Sequence, residues 1–295
     1  MITYAYYPGC VAQESGKELD NTTKFIAKKL DINLIPMPEA SCCGGGVIDG
    51  FDENLKLFIN GRTLALAEKE GLDIMTVCNT CTLTLSEVNE ELINNAESLE
   101  KTNAYLAQIG LKYSGKVKVK HLLYAIRDDV GFDNLKQKAV RSLKGVHIAP
   151  FYGCHILRPS SVVKFDDVEN PRGLEELIKV LEGEPVSYVR RTKCCGFQTI
   201  LVNEATSTSL AGNAIFEAQE KEADVMVTPC PLCHLSLDTY QTVAAKNINK
   251  KLSLPIIHLP QLIGLALGGD YAEMGFSRHN ISLRSVMAKI RQNEI

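Results

Sequence analysis

Short apolar runs alternate along the chain with longer segments in which apolar residues recur at helical spacing. The apolar runs predict strands; they are ITYAYY (2–7), INLIPM (32–37), DIMTV (73–77), VHIAPFY (146–152) and DVMVT (224–228). The longer segments predict helices; they are SGKELDNTTKFIAKKL (15–30), ENLKLFINGRTLALAEKE (53–70) and EATSTSLAGNAIFEAQEKE (204–222). Strands that alternate with helices indicate the α/β class with mostly parallel sheets.

The second half of the chain repeats the first. YYPGC (6–10) matches PFYGC (150–154), DIMTVCNTC (73–81) matches DVMVTPCPLC (224–233), and KHLLYAI (120–126) matches IHLPQLI (257–263). The first half carries about fifteen additional residues, which we assign to the segment 91–116. We therefore expect two pseudo-symmetric lobes, each a small mostly parallel sheet flanked by helices. The expected domains are 1–144 and 145–270, followed by a C-terminal tail at 271–295.

The tail combines basic and apolar residues. Its cations are Arg278, Arg284, Lys289 and Arg291, with apolar residues between them. Such a segment is typical either of a helix that docks a partner subunit or of a final surface helix. The pattern leaves both interpretations open.

Composition excludes some classes of function. The chain has 295 residues with a net charge of −3, so no basic excess predicts nucleic-acid binding. Its start, MITYAYYPGC, lacks the basic leader of a signal peptide. The most apolar late segment, LPQLIGLALGG (259–269), is far shorter than the ~20 residues that a membrane helix needs. We expect a cytoplasmic protein without a membrane span.

All ten cysteines fall into one five-cysteine pattern that occurs twice. In each half a lone cysteine precedes an adjacent pair that opens onto glycine, and 34 intervening residues then separate that pair from C-x-x-C. The first set is Cys10, Cys42, Cys43, Cys78 and Cys81; the second is Cys154, Cys194, Cys195, Cys230 and Cys233. Because disulfides do not persist well in a reducing compartment, this pattern indicates metal or redox chemistry.

The cysteines follow predicted strands. The adjacent pair of the first half comes after INLIPM, and each C-x-x-C comes directly after a buried-strand candidate. Open α/β sheets form their crevices beyond the carboxyl ends of the strands. We therefore expect the five thiols of each half to converge there.

Several chemistries are open to such a set. A buried cysteine is often only a small apolar residue, but a duplicated pattern that uses all ten argues against it. An adjacent pair can close a strained vicinal disulfide, which a reducing setting disfavours. A thioredoxin-type pair at C-x-x-C leaves the other six cysteines unexplained. A structural zinc ion takes four ligands and has no use for the fifth.

An iron–sulfur cluster in each half fits the pattern best. The glycines after each cysteine pair let the backbone approach closely and point N–H groups inward, where they serve cluster sulfur. Five ligands is one more than a regular cubane takes. Either one cysteine in each half is a spectator or the cluster is not a regular cubane, and the duplication favours the second interpretation.

These residues resemble a known family. The pattern Cys10, Cys42-Cys43-Gly44 and Cys78-Asn79-Thr80-Cys81, with its copy Cys154, Cys194-Cys195-Gly196 and Cys230-Pro231-Leu232-Cys233, is similar to the two CCG domains of the B subunit of heterodisulfide reductase from methanogenic archaea. The resemblance covers about residues 1–270 and includes YGCHILRP (152–159) and TPCPLCH (228–234). Iron–sulfur subunits of glycolate and lactate oxidation systems carry similar patterns, but beside ferredoxin-type motifs, and no such run occurs here.

The resemblance implies cofactors, a reaction and partners. It implies two non-cubane 4Fe–4S clusters, each held by all five cysteines of one motif. It implies a catalytic oxidoreductase subunit of methanogenesis that reduces the coenzyme M–coenzyme B heterodisulfide (CoM-S-S-CoB) to two thiols by two one-electron transfers. The implied partners are a small ferredoxin-like subunit, a flavin-containing subunit that performs flavin-based electron bifurcation, and a hydrogenase or formate dehydrogenase.

The neighbours of the two cysteine sets differ. The first set lies in neutral sequence, whereas His155, Arg158, Lys193 and His234 flank the second. Because the substrate implied by the resemblance carries a sulfonate, a phosphate and a carboxylate, we expect these four residues to bind its anionic groups. Two alternatives stay open: the cations only offset cluster charge or lie in solvent, and His155 and His234 have a structural role. We expect no catalytic residue beyond the clusters. We assign Arg190 and Arg191 to a solvated face, and His121 and His258 to the core.

A rival function remains open at this point. The chain would then be an electron-relay or scaffold subunit of another oxidoreductase complex, with a cubane cluster or zinc in each motif and no substrate of its own. The two functions differ in the expected content of iron and acid-labile sulfide.

Overall fold

The computed structural model describes residues 2–291, apart from the side chain of residue 49. The last four residues of the expected tail, 292–295, therefore lie outside the described residues. The described chain forms two lobes of the same architecture, as the sequence repeat predicts.

The first lobe is built on a four-stranded parallel sheet. Its strands are β1 (Ile2–Tyr7), β2 (Ile32–Pro36), β3 (Ile74–Thr76) and β4 (Val119–His121). The spatial order is β2-β1-β3-β4, and every pairing is parallel. After β2 the chain adds its next strands on the other side of β1, so the strand order reverses between β1 and β3. Open α/β sheets place their ligand crevice at such a reversal.

Helices cover both faces of this sheet. They are α1 (Gly9–Gln13), α2 (Lys17–Lys29), α3 (Glu53–Lys69), α4 (Asn79–Asn94), α5 (Ala96–Ala107), α6 (Leu122–Ala125) and α7 (Phe132–Lys138). A 3₁₀ turn at Ile48–Gly50 precedes α3, and a π-helical turn at Ile126–Gly131 separates α6 from α7. Helix α5 lies within the additional segment of the first half, as the unequal repeat predicts.

The second lobe repeats this plan. Its strands are β5 (His147–Pro150), β6 (Glu184–Pro185), β7 (Val225–Thr228) and β8 (Ile256–His258), in the parallel order β6-β5-β7-β8. Its helices, and the last helix of the tail, are α8 (Gly173–Val180), α9 (Glu204–Glu220), α10 (Pro231–His234), α11 (Gln241–Asn247), α12 (Leu259–Ala266) and α13 (Arg284–Arg291). Short turns are 3₁₀ at Val189–Thr192, Phe197–Thr199 and Phe276–Arg278, and π-helical at Leu235–Thr239.

Matching helices start with matching caps. Asp52 caps α3 by accepting a hydrogen bond from the N–H of Leu55, and Asn203 caps α9 by accepting one from the N–H of Thr206. A capping side chain of this kind contributes about 1 kcal/mol. Both helices therefore begin at a fixed point just after their cysteine pairs.

Each lobe packs its last helices against the other lobe. Helix α12 of the second lobe lies on α2 of the first, and α6 and α7 of the first lobe lie on α8 of the second. A single apolar core runs through this junction and includes Leu19, Ile26, Leu123, Leu177 and Ile263. Burying each such side chain contributes about 1.5–3 kcal/mol, so the two lobes hold each other in place.

The described part of the tail packs on this body. Phe276 and Met287 are buried, and Arg278 donates a 2.6 Å hydrogen bond to Glu18 of α2. Between residues 2 and 291, none of the helices combines the length and the apolar character needed to cross a membrane.

Candidate metal centre

The carboxyl ends of three strands in each lobe deliver the cysteines, as expected. In the first lobe Cys10 follows β1, Cys42 and Cys43 follow β2, and Cys78 and Cys81 follow β3 at the start of α4. The second lobe places Cys154, Cys194, Cys195, Cys230 and Cys233 after β5, β6 and β7 in the same way. Because parallel strands end at one edge of a sheet, residues far apart in sequence meet at one place.

All ten cysteines are free thiols, so the vicinal disulfide does not form. In the first lobe the Sγ atoms of Cys10 and Cys42 lie 3.6 Å apart, and those of Cys43 and Cys81 also lie 3.6 Å apart. Two thiolates bound to the same metal ion lie about 3.7 Å apart, as follows from metal–sulfur bonds of ~2.3 Å in a tetrahedral arrangement. The Sγ atoms of these two pairs therefore lie at the distance expected for metal ligands.

Main-chain N–H groups point at these sulfur atoms. The nitrogen of Gly44 lies 3.4 Å from Cys42 Sγ, and the nitrogen of Gly45 lies 3.4 Å from Cys43 Sγ. In the second lobe the nitrogen of Gly196 lies 3.3 Å from Cys194 Sγ. Such donors stabilise negative charge on sulfur, which is the role that the sequence predicts for the glycines.

Two glycines leave the room that the C-x-x-C sulfurs need. Gly9 and Gly153 directly precede the lone cysteines and have φ values of +78° and +72°. A Cβ at Gly9 would lie 3.0 Å from Cys81 Sγ, and one at Gly153 would lie 2.8 Å from Cys233 Sγ. Glycine is therefore required at both positions by backbone conformation and by space.

Each thiol set is open on one side. Cys10, Cys42 and Cys194 are exposed and Cys154 is half-buried, whereas the other six cysteines are buried. The exposed thiols lie near the surface and the C-x-x-C thiols lie deep. A metal group bound by each set would be held by the buried thiols and would be accessible to solvent on the side of the exposed thiols.

Hydrogen bonds favour the thiolate at the middle position of each set. A hydrogen bond from the Cys10 thiol, another from Cys43 and the N–H of Gly44 lower the pKa of Cys42 far below its usual value. Cys154, Cys195 and the N–H of Gly196 lower the pKa of Cys194 in the same way. The two thiols that neighbour this thiolate in each set have raised pKa values, since they donate to it or are buried beside it; they are Cys10 and Cys43 in the first set and Cys154 and Cys195 in the second. Thiolate is the form that binds metal.

The two thiol sets meet at the boundary between the lobes. The buried thiols of Cys78 and Cys230 face each other across it closely enough that each shifts the pKa of the other, upward for Cys78 and downward for Cys230. Asn79 Nδ2 donates a 2.7 Å hydrogen bond to the main-chain oxygen of Tyr152, and Thr80 Oγ1 lies 2.9 Å from His155 Nδ1. The fold therefore brings the two sets into one shared site.

A small pocket, open to solvent, lies at this boundary. Its lining comes from both lobes: Asn79 and Thr80 from the first, and Cys154, His155, Cys194, Cys195, Phe197, Gln198, Cys230, Leu232 and Cys233 from the second. Gln198 lies against Gly46, where no side chain would fit, so the two loops that follow the cysteine pairs touch above the pocket.

The four residues that we expected to bind substrate do not all lie at the pocket. His155 lines the pocket, and Lys193 is exposed directly before Cys194. Arg158 instead holds a loop, with its guanidinium 3.2 Å from Thr192 O, 3.0 Å from Val168 O and 3.1 Å from Glu169 Oε1. Arg191 is not on a solvated face as expected, because its side chain is largely buried in an ion pair with Glu175 at 2.9 Å.

His234 does not line the pocket. Its buried ring stacks on His258 at a centroid distance of 3.8 Å, and its Nε2 lies 3.1 Å from His279 Nδ1. Burial lowers the pKa of His234 well below its usual value and lowers the pKa of His279 to about 4, so both rings are neutral. Gln261 Nε2 donates a 2.8 Å hydrogen bond to His279 Nε2, and His279 Nδ1 lies 2.7 Å from Ile256 O. The buried histidines therefore belong to a hydrogen-bond network that attaches the tail to the second lobe.

His121 and His258 lie in the core, as expected, with exposed fractions of 0% and 2%. Each is the final residue of the last strand of its lobe and accepts a main-chain hydrogen bond at the start of the next helix. The matching positions in the repeat therefore reflect a matching helix cap.

Five pocket residues, Asn79, Thr80, Phe197, Gln198 and Leu232, were not expected from the sequence. Leu232 stands between the cysteines of the second C-x-x-C. Asn79 and Thr80 stand between the cysteines of the first C-x-x-C, and Phe197 and Gln198 follow the second CCG. Their position next to cysteines in the sequence could have identified them as site residues. Their contacts across the lobe boundary were not visible in the local pattern.

The donor set fits a thiolate-bound metal group. Five free thiols per lobe at ligand spacing, with N–H donors aimed at sulfur, are the donors that iron–sulfur groups require. The residues that would hold the two groups are the five cysteines of each set.

Comparison with known proteins agrees with this description. The Cysteine-rich domain family (CCG) matches residues 4–86 and 148–238. The chain is 36% identical over 94% of its length to 96% of the 8-methylmenaquinol:fumarate reductase membrane anchor subunit of Wolinella succinogenes. It is 31% identical over 98% of its length to 97% of the B subunit of the ferredoxin/F420H2-dependent CoB-CoM heterodisulfide reductase of Methanosarcina acetivorans.

A solved structure shares the fold. The crystal structure of a hypothetical protein from Helicobacter pylori matches 95% of this chain with a TM-score of 0.75 and 16% sequence identity. The chain spans about half, 52%, of that protein's length. At this identity the likeness speaks for the fold alone.

Proposed function

The chain belongs to the cysteine-rich CCG domain family and is a heterodisulfide reductase-type subunit, and from this premise we propose that it is catalytic. In this proposal it reduces the coenzyme M–coenzyme B heterodisulfide to the two free thiols. The expected domains, 1–144 and 145–270, would each hold one non-cubane 4Fe–4S cluster through their five cysteines.

One observation carries the proposal: the two five-thiol sets approach each other at the lobe boundary, where Asn79 and Thr80 of the first lobe complete a pocket around the thiols of the second set. Reducing a disulfide breaks one S–S bond and consumes two electrons and two protons. Each cluster would supply one electron. A one-electron centre on either side of the bond would account for the duplication of the fold.

The residues of this chain would bind and orient the substrate. In the proposal His155 and Lys193 bind anionic groups at the second lobe's side of the pocket, and Thr80 fixes the orientation of the His155 ring. Phe197 and Leu232 provide apolar lining. Arg158 and His234 support the surrounding loops and the tail, since their hydrogen bonds lie elsewhere.

Similarity to named subunits of oxidoreductase complexes indicates a multisubunit assembly. The specific partners are part of the proposal: a small ferredoxin-like subunit, a flavin-containing subunit and a hydrogenase or formate dehydrogenase, acting together in the cytoplasm. The exposed thiols Cys10 and Cys42 of the first lobe offer an entry point for electrons from such a partner.

A second candidate function is favoured by a specific surface. Apolar side chains on the loops after the two cysteine pairs are strongly exposed: Val47 at 66%, Phe51 at 88%, Leu201 at 96% and Val202 at 86%. We call these four residues the apolar rim. Such a rim suits the ring and chain of a quinol, and the relative from Wolinella succinogenes is named for 8-methylmenaquinol and fumarate. In this candidate function the chain relays electrons between a quinol and a fumarate reductase.

A single-turnover experiment separates the two functions. The full chain, loaded anaerobically with iron and sulfide and then reduced, is mixed with CoM-S-S-CoB or with a short-chain menaquinone, and reoxidation is followed by freeze-quench EPR. We expect the heterodisulfide to reoxidise the protein and to yield two thiols per turnover, with slower reaction in Lys193→Ala. Reoxidation by the menaquinone alone would contradict the proposal and support the second candidate.

A further inference from the structure

The loops that follow the two cysteine pairs meet at residues that occupy the same place in the repeat. Gly46 is the third residue after Cys43, and Gln198 is the third residue after Cys195. A Cβ on Gly46 would overlap the terminal amide of Gln198, so this amide lies directly on the Gly46 backbone. The contact therefore joins a residue to its own counterpart in the other lobe.

Other contacts at the boundary show that the lobes face each other across a pseudo-two-fold axis. Asn79 and Thr80, at the start of α4, contact Tyr152 and His155. Reciprocally α10, the counterpart of the start of α4, lies against α1, the counterpart of the segment after Tyr152. Because counterpart residues meet only near the axis that relates them, the Gln198–Gly46 contact lies at this axis.

Only one side chain can occupy such a position. Gly46 has a φ of +83° and no Cβ, and this leaves the room that the Gln198 amide fills. Two glutamines would overlap there, and two glycines would leave the space empty. The difference between the lobes at this position therefore closes the axis with a single side chain.

The contact lies on the solvent side of the shared pocket. Gln198 and Gly46 are both exposed, and Gln198 also lines the pocket. On the protein side the two facing cysteines are buried, with Cys78 4% and Cys230 2% exposed. A molecule that approaches the pocket from solvent along the axis therefore meets the Gln198 side chain first.

We propose that Gln198 is the gate of the shared pocket: its side chain closes the pocket in the free protein and moves off Gly46 when substrate binds. The inference rests on the proposed function, since a disulfide held between the two cysteine sets must extend its substituents past this point. Glutamine suits this task because it has several rotatable bonds and many rotamers. Its exposed amide exchanges the contact with Gly46 for contacts with water. Gln198 is a positioning residue that controls access to the pocket.

Iron release to a chelator measures the gate without any substrate. The full chain is loaded anaerobically with iron and sulfide, and transfer of its iron to ferrozine is followed by absorbance. In Gln198→Ala we expect the initial rate to rise about three- to tenfold, because the open state becomes more populated. The thermal unfolding midpoint should not change, since Gln198 is exposed. An unchanged rate of iron release would overturn the proposal.

Two matched variants separate the reach of the side chain from its polarity. Gln198→Met keeps the length and loses the amide, so it should release iron at the wild-type rate. Gln198→Asn keeps the amide and is one methylene shorter, so it should behave like Gln198→Ala. The reverse order would overturn closure by the reach of this side chain.

Gly46→Ala tests the same contact from the first lobe. Its Cβ would displace the Gln198 amide, so iron release should accelerate, and adding Gln198→Ala should accelerate it no further. Gly50→Ala is the control on the same loop, because a Cβ there would meet nothing within 4 Å. Additive effects of Gly46→Ala and Gln198→Ala would overturn the proposal.

Reaction with the heterodisulfide distinguishes failure of the gate from failure of the proposed function. In Gln198→Ala we expect single-turnover reoxidation to be about three- to tenfold faster at low heterodisulfide concentration and equal to wild type at saturation. Equal rates at both concentrations would overturn the gate and leave the proposed function intact. Faster iron release without reoxidation of either protein would overturn the proposed function and support closure by Gln198.

Discussion

Thr80 Oγ1 lies 2.9 Å from His155 Nδ1, so a hydroxyl of the first lobe holds an imidazole of the second at the mouth of the pocket. The contact joins a residue inside the first C-x-x-C to the residue that follows the second lobe's lone cysteine. The shared pocket is therefore formed by the two lobes together.

Thr80→Val removes this hydrogen bond with little change in shape. We expect the KM for the heterodisulfide to rise about three- to tenfold, since a hydrogen bond contributes about 0.5–1.5 kcal/mol. Iron content should remain unchanged. Steady-state kinetics provides the measurement, with Thr80→Ser as the control because it keeps the hydroxyl. Equal KM values for the Thr80→Val and Thr80→Ser variants would remove His155 from substrate binding.

Gly153→Ala should damage the second metal site selectively. A Cβ there would meet Cys233 Sγ at 2.8 Å, so in addition to about 1–2 kcal/mol for the positive φ we expect loss of about half of the bound iron. Gly145→Ala is the matched control, because Gly145 has φ +74° but a Cβ there would meet nothing within 4 Å. Iron analysis and thermal unfolding of both variants test this, and equal iron loss in the two would refute the steric explanation.

Glu18→Gln should loosen the attachment of the tail. Burial alone would raise the pKa of Glu18, but His258 at 3.6 Å, main-chain hydrogen bonding and the 2.6 Å contact with Arg278 lower it to about 2. The ionised form therefore stabilises the fold above the ordinary carboxyl pKa near 4.5, and this contribution is lost as pH falls toward 2. We expect the variant to lose about 2–3 kcal/mol at pH 7.

Thermal unfolding of wild type and Glu18→Gln measures that difference. It should be constant between about pH 5.5 and pH 8 and shrink only below about pH 4.5, where the wild-type unfolded state takes up a proton. A difference that changes between about pH 6 and pH 8 would mean that a histidine, not this carboxylate, controls the contact.

Phe51→Ser and Leu201→Ser test the apolar rim. Because these side chains are 88% and 96% exposed, the free energy of unfolding should change by no more than about 0.5 kcal/mol. Phe276→Ser, at a site that is 1% exposed, serves as the destabilising control and should lose about 3–5 kcal/mol. We expect unchanged single-turnover reoxidation by the heterodisulfide; a large loss confined to the menaquinone reaction would favour the second candidate function.

Much of the fold could be predicted from the sequence because its signals are local. The run ITYAYY coincides with β1, and the unequal length of the repeat located the segment that forms α5. The convergence of the thiols followed from the general behaviour of parallel strands. These features depend on periodicity and chain order alone.

The remainder depends on contacts between distant residues. His279 lies in an ordinary-looking GFSRHN stretch, yet its ring is buried against His234, 45 residues earlier. Arg191 resembles a surface cation in the sequence, but the fold pairs it with Glu175. No local pattern reports which lobe a side chain will meet, so the pocket residues contributed across the boundary required the structure.

The central claim is that each lobe gathers five thiolates around one polynuclear iron–sulfur centre. Iron, zinc and acid-labile sulfide analysis of the anaerobically purified chain tests it most directly. We expect about eight irons and about eight sulfides per chain, and about half of each after Cys195→Ala. One or two zinc ions per chain without sulfide would contradict the claim.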